Sequence, residues 1–258
     1  YELVVRAEKV PKDVTRAARE WLEKLATVKY DGKQLTPEKL EKQIALYEAA
    51  LSIIKEYELD FVGFKGQPEM TNNYATMDIV EAFLNDPYDW HGSKETIVAA
   101  TETDMDGALT MEIFKHIAQS PVLFADVRHY FEEEDLLDLC NSGTHATYFA
   151  GKSMNPEDNL KHVELYPEDF YFPAGGAAVK HFAAPGRVTL ARLARQNGEY
   201  IMTIVPGEFV KLSEAEEKKL SEKVQIEWPH AYVKLDTDME TFLRYYPCNH
   251  THGVYGDF

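Results

Sequence analysis

The sequence predicts an α/β protein in two parts: a parallel-sheet α/β half, then a mainly antiparallel, barrel-like β half. Three observations carry this expectation. Helical and strand-like segments alternate up to about residue 118, the pattern of a parallel sheet with crossover helices. After about Leu139 glycines and prolines cut the chain into short strand-like pieces. Between two of these pieces sits Asn197-Gly198, a strong signal for a tight hairpin. The expected parts are residues 1–118 and 119–258.

In chain order, Tyr1 to Val5 reads as a strand. A helix follows from about Pro11 to Leu25, with Val14, Ala18, Trp21 and Leu25 on one face. Thr36 is placed to cap a second helix and Pro37 suits its first turn. Leu40, Ile44, Tyr47, Leu51 and Ile54 make its apolar stripe. Leu59 to Phe64 predicts a strand, and residues 65–68 a turn. A third helix is expected over about Tyr74 to Asn85, closed by Asp86-Pro87.

The apolar run Ile97 to Ala100 ends in Thr101-Glu102. A helix with Leu109, Ile113, Phe114 and Ile117 at helical spacing comes next. Ser120-Pro121 stops it, and a second apolar run, Val122 to Ala125, ends in Asp126. An acid thus closes each of two strands joined by one helix. In a parallel sheet both acids would share the carboxyl edge, where open α/β sheets bind ligands. Two carboxylates there could share a divalent metal or handle protons, although acids after strands also serve as helix caps.

In the second half, strands are expected at 179–182, 187–193, 200–204 and 209–212, with helices at 213–222 and 239–245. Asn249-His250-Thr251-His252 lies close to the end, flanked by aromatic residues. It reads either as an exposed tail or as the source of an imidazole ligand.

Composition narrows the function classes. The 258 residues are 45% hydrophobic and 28% charged, enough for one large domain or two smaller ones. The net charge of −17 repels phosphate backbones and anionic lipid, so neither nucleic acid nor membrane is an expected partner. The two cysteines, Cys140 and Cys248, are far apart in sequence and read as plain thiols in a reducing, cytoplasmic compartment. No repeat or low-complexity tract is visible.

Eight segments in order then give a specific resemblance. They are FKGQPEMTNN (64–73), EAFLNDPYDWHG (81–92), ATETDMDGALTM (100–111), VLFADVRHY (122–130), NSGTHA (141–146), FPAGGAAVKHF (172–182), EWPHAYV (227–233) and CNHTHGVYGD (248–257). The chain resembles the L-fucose/D-arabinose isomerase group from about Phe61 onward, without that group's first N-terminal domain. It is expected to be a fragment of a longer protein.

The resemblance implies a metal-dependent aldose–ketose isomerase working through an enediolate on a monosaccharide. Glu102 and Asp126 match catalytic carboxylates that also bind metal. His250 best matches the metal histidine, with His252 as the fallback. The implied cation is Mn²⁺, or another divalent ion such as Mg²⁺ or Co²⁺. Gln67, Asn141, Ser142 and Asn249 match polar groups facing the sugar. Lys65 stands where a neutral glutamine is expected, which leaves open an anionic sugar, sulfonated or phosphorylated. A non-catalytic sugar-binding fragment is a further reading. The resemblance also implies a homo-oligomer, trimer or hexamer, whose neighbouring subunit completes the site.

Overall fold

The computed structural model describes residues 1–168, 172–224 and 226–258. It is a mixed α/β molecule, as expected, but its first half is more helical than the sequence pattern suggests. The elements run α1 (Glu2–Ala7), α2 (Lys12–Leu25), β1 (Thr27–Val28), α3 (Pro37–Tyr57), β2 (Phe61–Gly63), α4 (Glu69–Asn73) and α5 (Asp78–Asn85). Then come β3 (Tyr88–Asp89), β4 (Gly92–Ser93), β5 (Val98–Ala100), a 3₁₀ turn (Thr101–Thr103), α6 (Met105–Ala118), β6 (Leu123–Phe131) and β7 (Leu136–Cys140). A second 3₁₀ turn (Thr147–Ala150) leads to α7 (Pro156–Leu160), β8 (Glu164–Pro167) and β9 (Ala177–Lys180). Last are β10 (Gly186–Gln196), β11 (Glu199–Phe209), α8 (Glu214–Val224), β12 (His230–Leu235), α9 (Met239–Tyr245) and β13 (His250–Tyr255).

Two expectations for the first half are corrected. The opening segment is a helix, not a strand. Its Glu2 and Arg6 are one turn apart and pair. Arg6 also donates to Ser52 at 3.1 Å and pairs with Glu56 at 2.7 Å, both on α3. Tertiary contact outweighs the β preference of Val4 and Val5. An extended parallel sheet is also absent among the described residues. Parallel ladders there are confined to β1 with β8 and β2 with β5, each only two or three residues long, beside one isolated parallel bridge between Phe182 and His230. The local helix signals held: Thr36 accepts from the Lys39 N–H at 3.3 Å and caps α3, which buries Leu40, Ile44, Tyr47 and Ile54.

The second half is built on six antiparallel strands in the order β10-β11-β12-β7-β6-β13. β13 pairs back with β10, so the sheet closes into a barrel. The β10–β11 hairpin turns at Asn197 and Gly198, with φ of 52° and 85°, between paired Gln196 and Glu199. Both central residues have positive φ, as a twisted two-residue turn requires. The stretch around His250 is no tail: it is an interior strand of the ring.

Alternation along the barrel strands decides where the site lies. Leu123, Ala125, Leu137, Leu139, Val188, Leu190, Ala231 and Val233 cluster inside the barrel. Phe124, Ala191 and Val254 face outward and pack with Met111 and Phe114 of α6. Helix α6 therefore lies against the barrel's outer wall. Asp126, two residues after Phe124, and His250, two before His252, share that outer face. Among the described residues, no helix is long and apolar enough to cross a membrane.

Candidate active site

The two acids converge, but not as the carboxyl edge of one parallel sheet. β5 pairs with β2, whereas β6 belongs to the antiparallel barrel, and Asp126 lies within β6 rather than at its end. They meet because the barrel wall and the α6 layer face each other.

His250 is the hub. It sits directly opposite Asp126 in the β13–β6 ladder. Its Nε2 is 3.3 Å from Glu102 Oε2 and 3.4 Å from Asp126 Oδ1. Its Nδ1 is 2.7 Å from Asp104 Oδ2. The ring lies 4.8 Å, centroid to centroid, from that of Phe124. Across the wall the ladder puts His230, Cys140, Asp126 and His250 in one registered row on four strands.

Glu102 reaches the site from a tight turn. It has φ 54° and ψ 18°, and Thr103 follows with φ 58°. Two consecutive non-glycine residues in the left-handed region are costly and mark a turn held by its surroundings. Gly63 makes room: a Cβ there would lie 2.8 Å from Met105 Sδ and 3.3 Å from Thr103 Cα.

The charges are unevenly distributed. Burial pushes Asp126 up to about 6, with His250 opposing and Glu102 adding to the rise. Glu102, half exposed, is lowered by its contact with His250 against a smaller burial effect. Burial opposes charge on His250, yet Asp104 and Glu102 outweigh it and raise the ring to about 10. Without a metal, then, His250 is an imidazolium among three carboxylates.

Among the described residues, no three His, Cys, Asp or Glu side chains are already posed as a metal cage. Their chemistry nonetheless suits a small divalent ion. Neighbouring ligands of an octahedral ion with ~2.1 Å bonds lie about 3 Å apart, and Glu102 and Asp126 are 3.3 and 3.4 Å from Nε2. Two carboxylates and one imidazole leave coordination positions open.

The remaining expected residues divide. Gln67 and Ser142 line one cleft with Glu102, Thr71, Asp78 and Glu81. Asn141 is buried and hydrogen-bonds to Asp126. Its Oδ1 accepts from the Thr144 hydroxyl at 2.8 Å. Lys65 is exposed and its amine is 3.4 Å from Glu69, outside the residues lining that cleft. Asn249 is exposed; its carbonyl accepts from the Val127 N–H at 2.7 Å. His252 is fully buried, and its Nε2 accepts from Arg192 Nη1 at 3.2 Å.

Sequence reasoning missed Asp104 and Arg192. Asp104 carries a readable signal, an acid at the start of α6, but that signal points only to a helix cap. Arg192 has no local signal, since its role depends on β10 lying beside β13.

Comparison with known proteins now decides the family. Residues 39–119 match the second N-terminal domain of L-fucose isomerase, and residues 139–258 match its C-terminal domain. The chain belongs to the L-fucose isomerase family. It is similar to the L-fucose isomerase of Bacteroides thetaiotaomicron, 28% identical over 204 residues, covering 65% of this chain and 34% of that protein. The Bacteroides fragilis L-fucose isomerase is 27% identical over 259 aligned positions, covering 84% of this chain and 43% of the relative. That of Haemophilus influenzae is 25% identical over 236 residues, covering 75% and 40%. The chain thus spans about two-fifths or less of these L-fucose isomerases.

Proposed function

We propose that this chain carries the metal-binding and proton-transfer centre of an aldose–ketose isomerase acting on a neutral monosaccharide such as L-fucose or D-arabinose. The observation that carries this reading is the meeting of Glu102, Asp126 and His250 at one point, from three elements distant in sequence.

A bound divalent cation, Mn²⁺ or a similar ion, would supply Lewis-acid polarisation of the sugar carbonyl. Glu102, Asp126 and His250 would hold it. Asp126, buried where His250 and Glu102 meet, is the carboxylate placed to take a proton and return it. It removes the proton from C2; the C–H electron pair forms the C1–C2 double bond, and the carbonyl pair moves to O1. The carboxyl group then delivers the proton to C1, while the O2 hydroxyl proton passes to O1 as the C2 carbonyl forms. Glu102 is the partner carboxylate in this transfer. Gln67 and Ser142 orient sugar hydroxyls from the cleft wall, and Asn141 holds Asp126.

A neutral sugar is favoured over an anionic one. Lys65 pairs with Glu69 and lies outside the residues lining the cleft, which include the carboxylate of Glu102. The half-exposed side of Glu102 is where a neighbouring copy in a homo-oligomer would close the site. We further propose that residues 1–118 and 119–258 act as two structural parts, in a reducing, cytoplasmic setting.

The test is ketose formation from L-fucose, D-arabinose and anionic sugars in the presence of Mn²⁺, with solvent deuterium traced to C1. Turnover should be confined to neutral sugars and fall by at least about 10²-fold in Glu102→Gln and Asp126→Asn. Retained turnover in both variants would overturn the assignment.

A further inference from the structure

We propose that Asp104 is a positioning residue, which fixes the imidazole of His250 so that Nε2 alone is presented between Glu102 and Asp126. This inference rests on the metal centre proposed above and names a group outside it.

The Asp104 carboxylate is held from three elements at once. Oδ1 accepts the Gly107 N–H at 2.9 Å, capping α6. Oδ1 also accepts from Arg192 Nη2 at 2.9 Å, and Arg192 Nη1 contacts Oδ2. Oδ2 is 2.7 Å from His250 Nδ1. A helix cap needs one oxygen; here the second oxygen is committed to the histidine.

The clamp is closely packed. A Cβ at Gly107 would lie 2.6 Å from Asp104 Oδ2 and 3.0 Å from Arg192 Nη1, so a side chain there would displace the acid or the arginine. Arg192 is 6% exposed, and its Nη1 also donates to His252 Nε2 at 3.2 Å. A continuous chain therefore runs from His252 through Arg192 and Asp104 to His250. Both histidines of the NHTH segment belong to it, one anchoring the arginine and the other facing the acids.

Fixing one ring nitrogen of a metal-binding histidine sets which nitrogen carries the lone pair and where it points. With Nδ1–H donated to Asp104, Nε2 is the nitrogen left for a cation. The Phe124 ring beside it restricts rotation of the imidazole.

The test measures Mn²⁺ affinity by the electron paramagnetic resonance of free Mn²⁺, at one pH and without substrate. The Glu102→Gln variant serves as the control for a lost ligand. Asp104→Asn keeps a capping oxygen and is expected to fold, but to bind Mn²⁺ about 10–100-fold more weakly. In the parent chain loaded with diamagnetic Zn²⁺, long-range ¹H–¹⁵N spectra should put the His250 proton on Nδ1. Unchanged affinity in folded Asp104→Asn, or a His250 proton on Nε2, overturns the inference. The spectrum decides the matter even if Asp104→Asn fails to fold. If the parent binds Mn²⁺ no better than Glu102→Gln, the metal centre itself fails, and this inference with it. A parent chain whose Mn²⁺ affinity depends on Asp104 but which turns over no sugar overturns the isomerase reading and upholds this inference.

Discussion

His250 and Asp126 are direct cross-strand partners on the outer wall of the barrel, with Nε2 3.4 Å from Oδ1. Opposed residues on neighbouring antiparallel strands are held at fixed spacing by the ladder itself. The imidazole–carboxylate pair is thus set by backbone register, while Glu102 is brought to it by a turn from the facing layer.

Register separates the two histidines. His250→Asn is expected to weaken Mn²⁺ binding by at least about tenfold, because it removes a donor from the point where both acids meet. His252→Asn should instead cost stability, about 1–3 kcal/mol, because it removes a buried partner of Arg192. Calorimetric Mn²⁺ titration and urea unfolding of both variants check this. A larger metal-binding loss in His252→Asn would exchange their roles.

The proton-transfer assignment gives a kinetic expectation. Asp126→Asn should lower turnover by about 10²–10⁴-fold, the usual contribution of a positioned acid–base group. Steady-state rates at saturating sugar and Mn²⁺ measure it. A fall in apparent affinity with an unchanged maximal rate would remove Asp126 from the proton path.

The same substitution should stabilise the metal-free chain at pH 7.5. The ordinary value for Asp126 is 3.8, and burial raises it to about 6 in the folded state. Folding therefore favours the protonated form, and that contribution fades as pH rises through about 6. Replacing the ionised group by an amide should recover about 1–2 kcal/mol at pH 7.5 and little at pH 4. His250 adds a loss at higher pH. Raised from 6.5 to about 10, it contributes fully below 6.5 and is lost as pH passes 10. Urea midpoints from pH 4 to 10 report both effects, and a less stable Asp126→Asn at pH 7.5 would contradict the first.

Gly143 lies in the loop that carries Asn141 and Ser142. A Cβ there would lie 2.5 Å from Asp78 Cα and 2.8 Å from Glu81 Oε2. Gly143→Ala should destabilise by about 2–3 kcal/mol, since the obstacle is backbone. At Gly198, with φ 85° in the hairpin turn and no atom within 4 Å of the added Cβ, alanine should cost only about 1 kcal/mol. Thermal unfolding of the two variants gives the comparison, and equal losses would remove packing as the cause.

The sequence by itself determined what depends on neighbours along the chain. The Thr36 cap, the apolar stripe of α3 and the Asn197-Gly198 turn follow from local spacing, while the ordered motifs around Glu102, Asp126 and His250 carry the family resemblance. Tertiary structure decided what depends on partners far away. It turned Tyr1 to Val5 from strand into helix through Arg6 against α3, and reduced the parallel sheet to two short ladders. It also placed the acids on facing layers, chose His250 over His252 to face them, and brought Arg192 to Asp104. The physical reason is the same in each case: one-dimensional periodicity records which face of an element is apolar, but not which element will cover it.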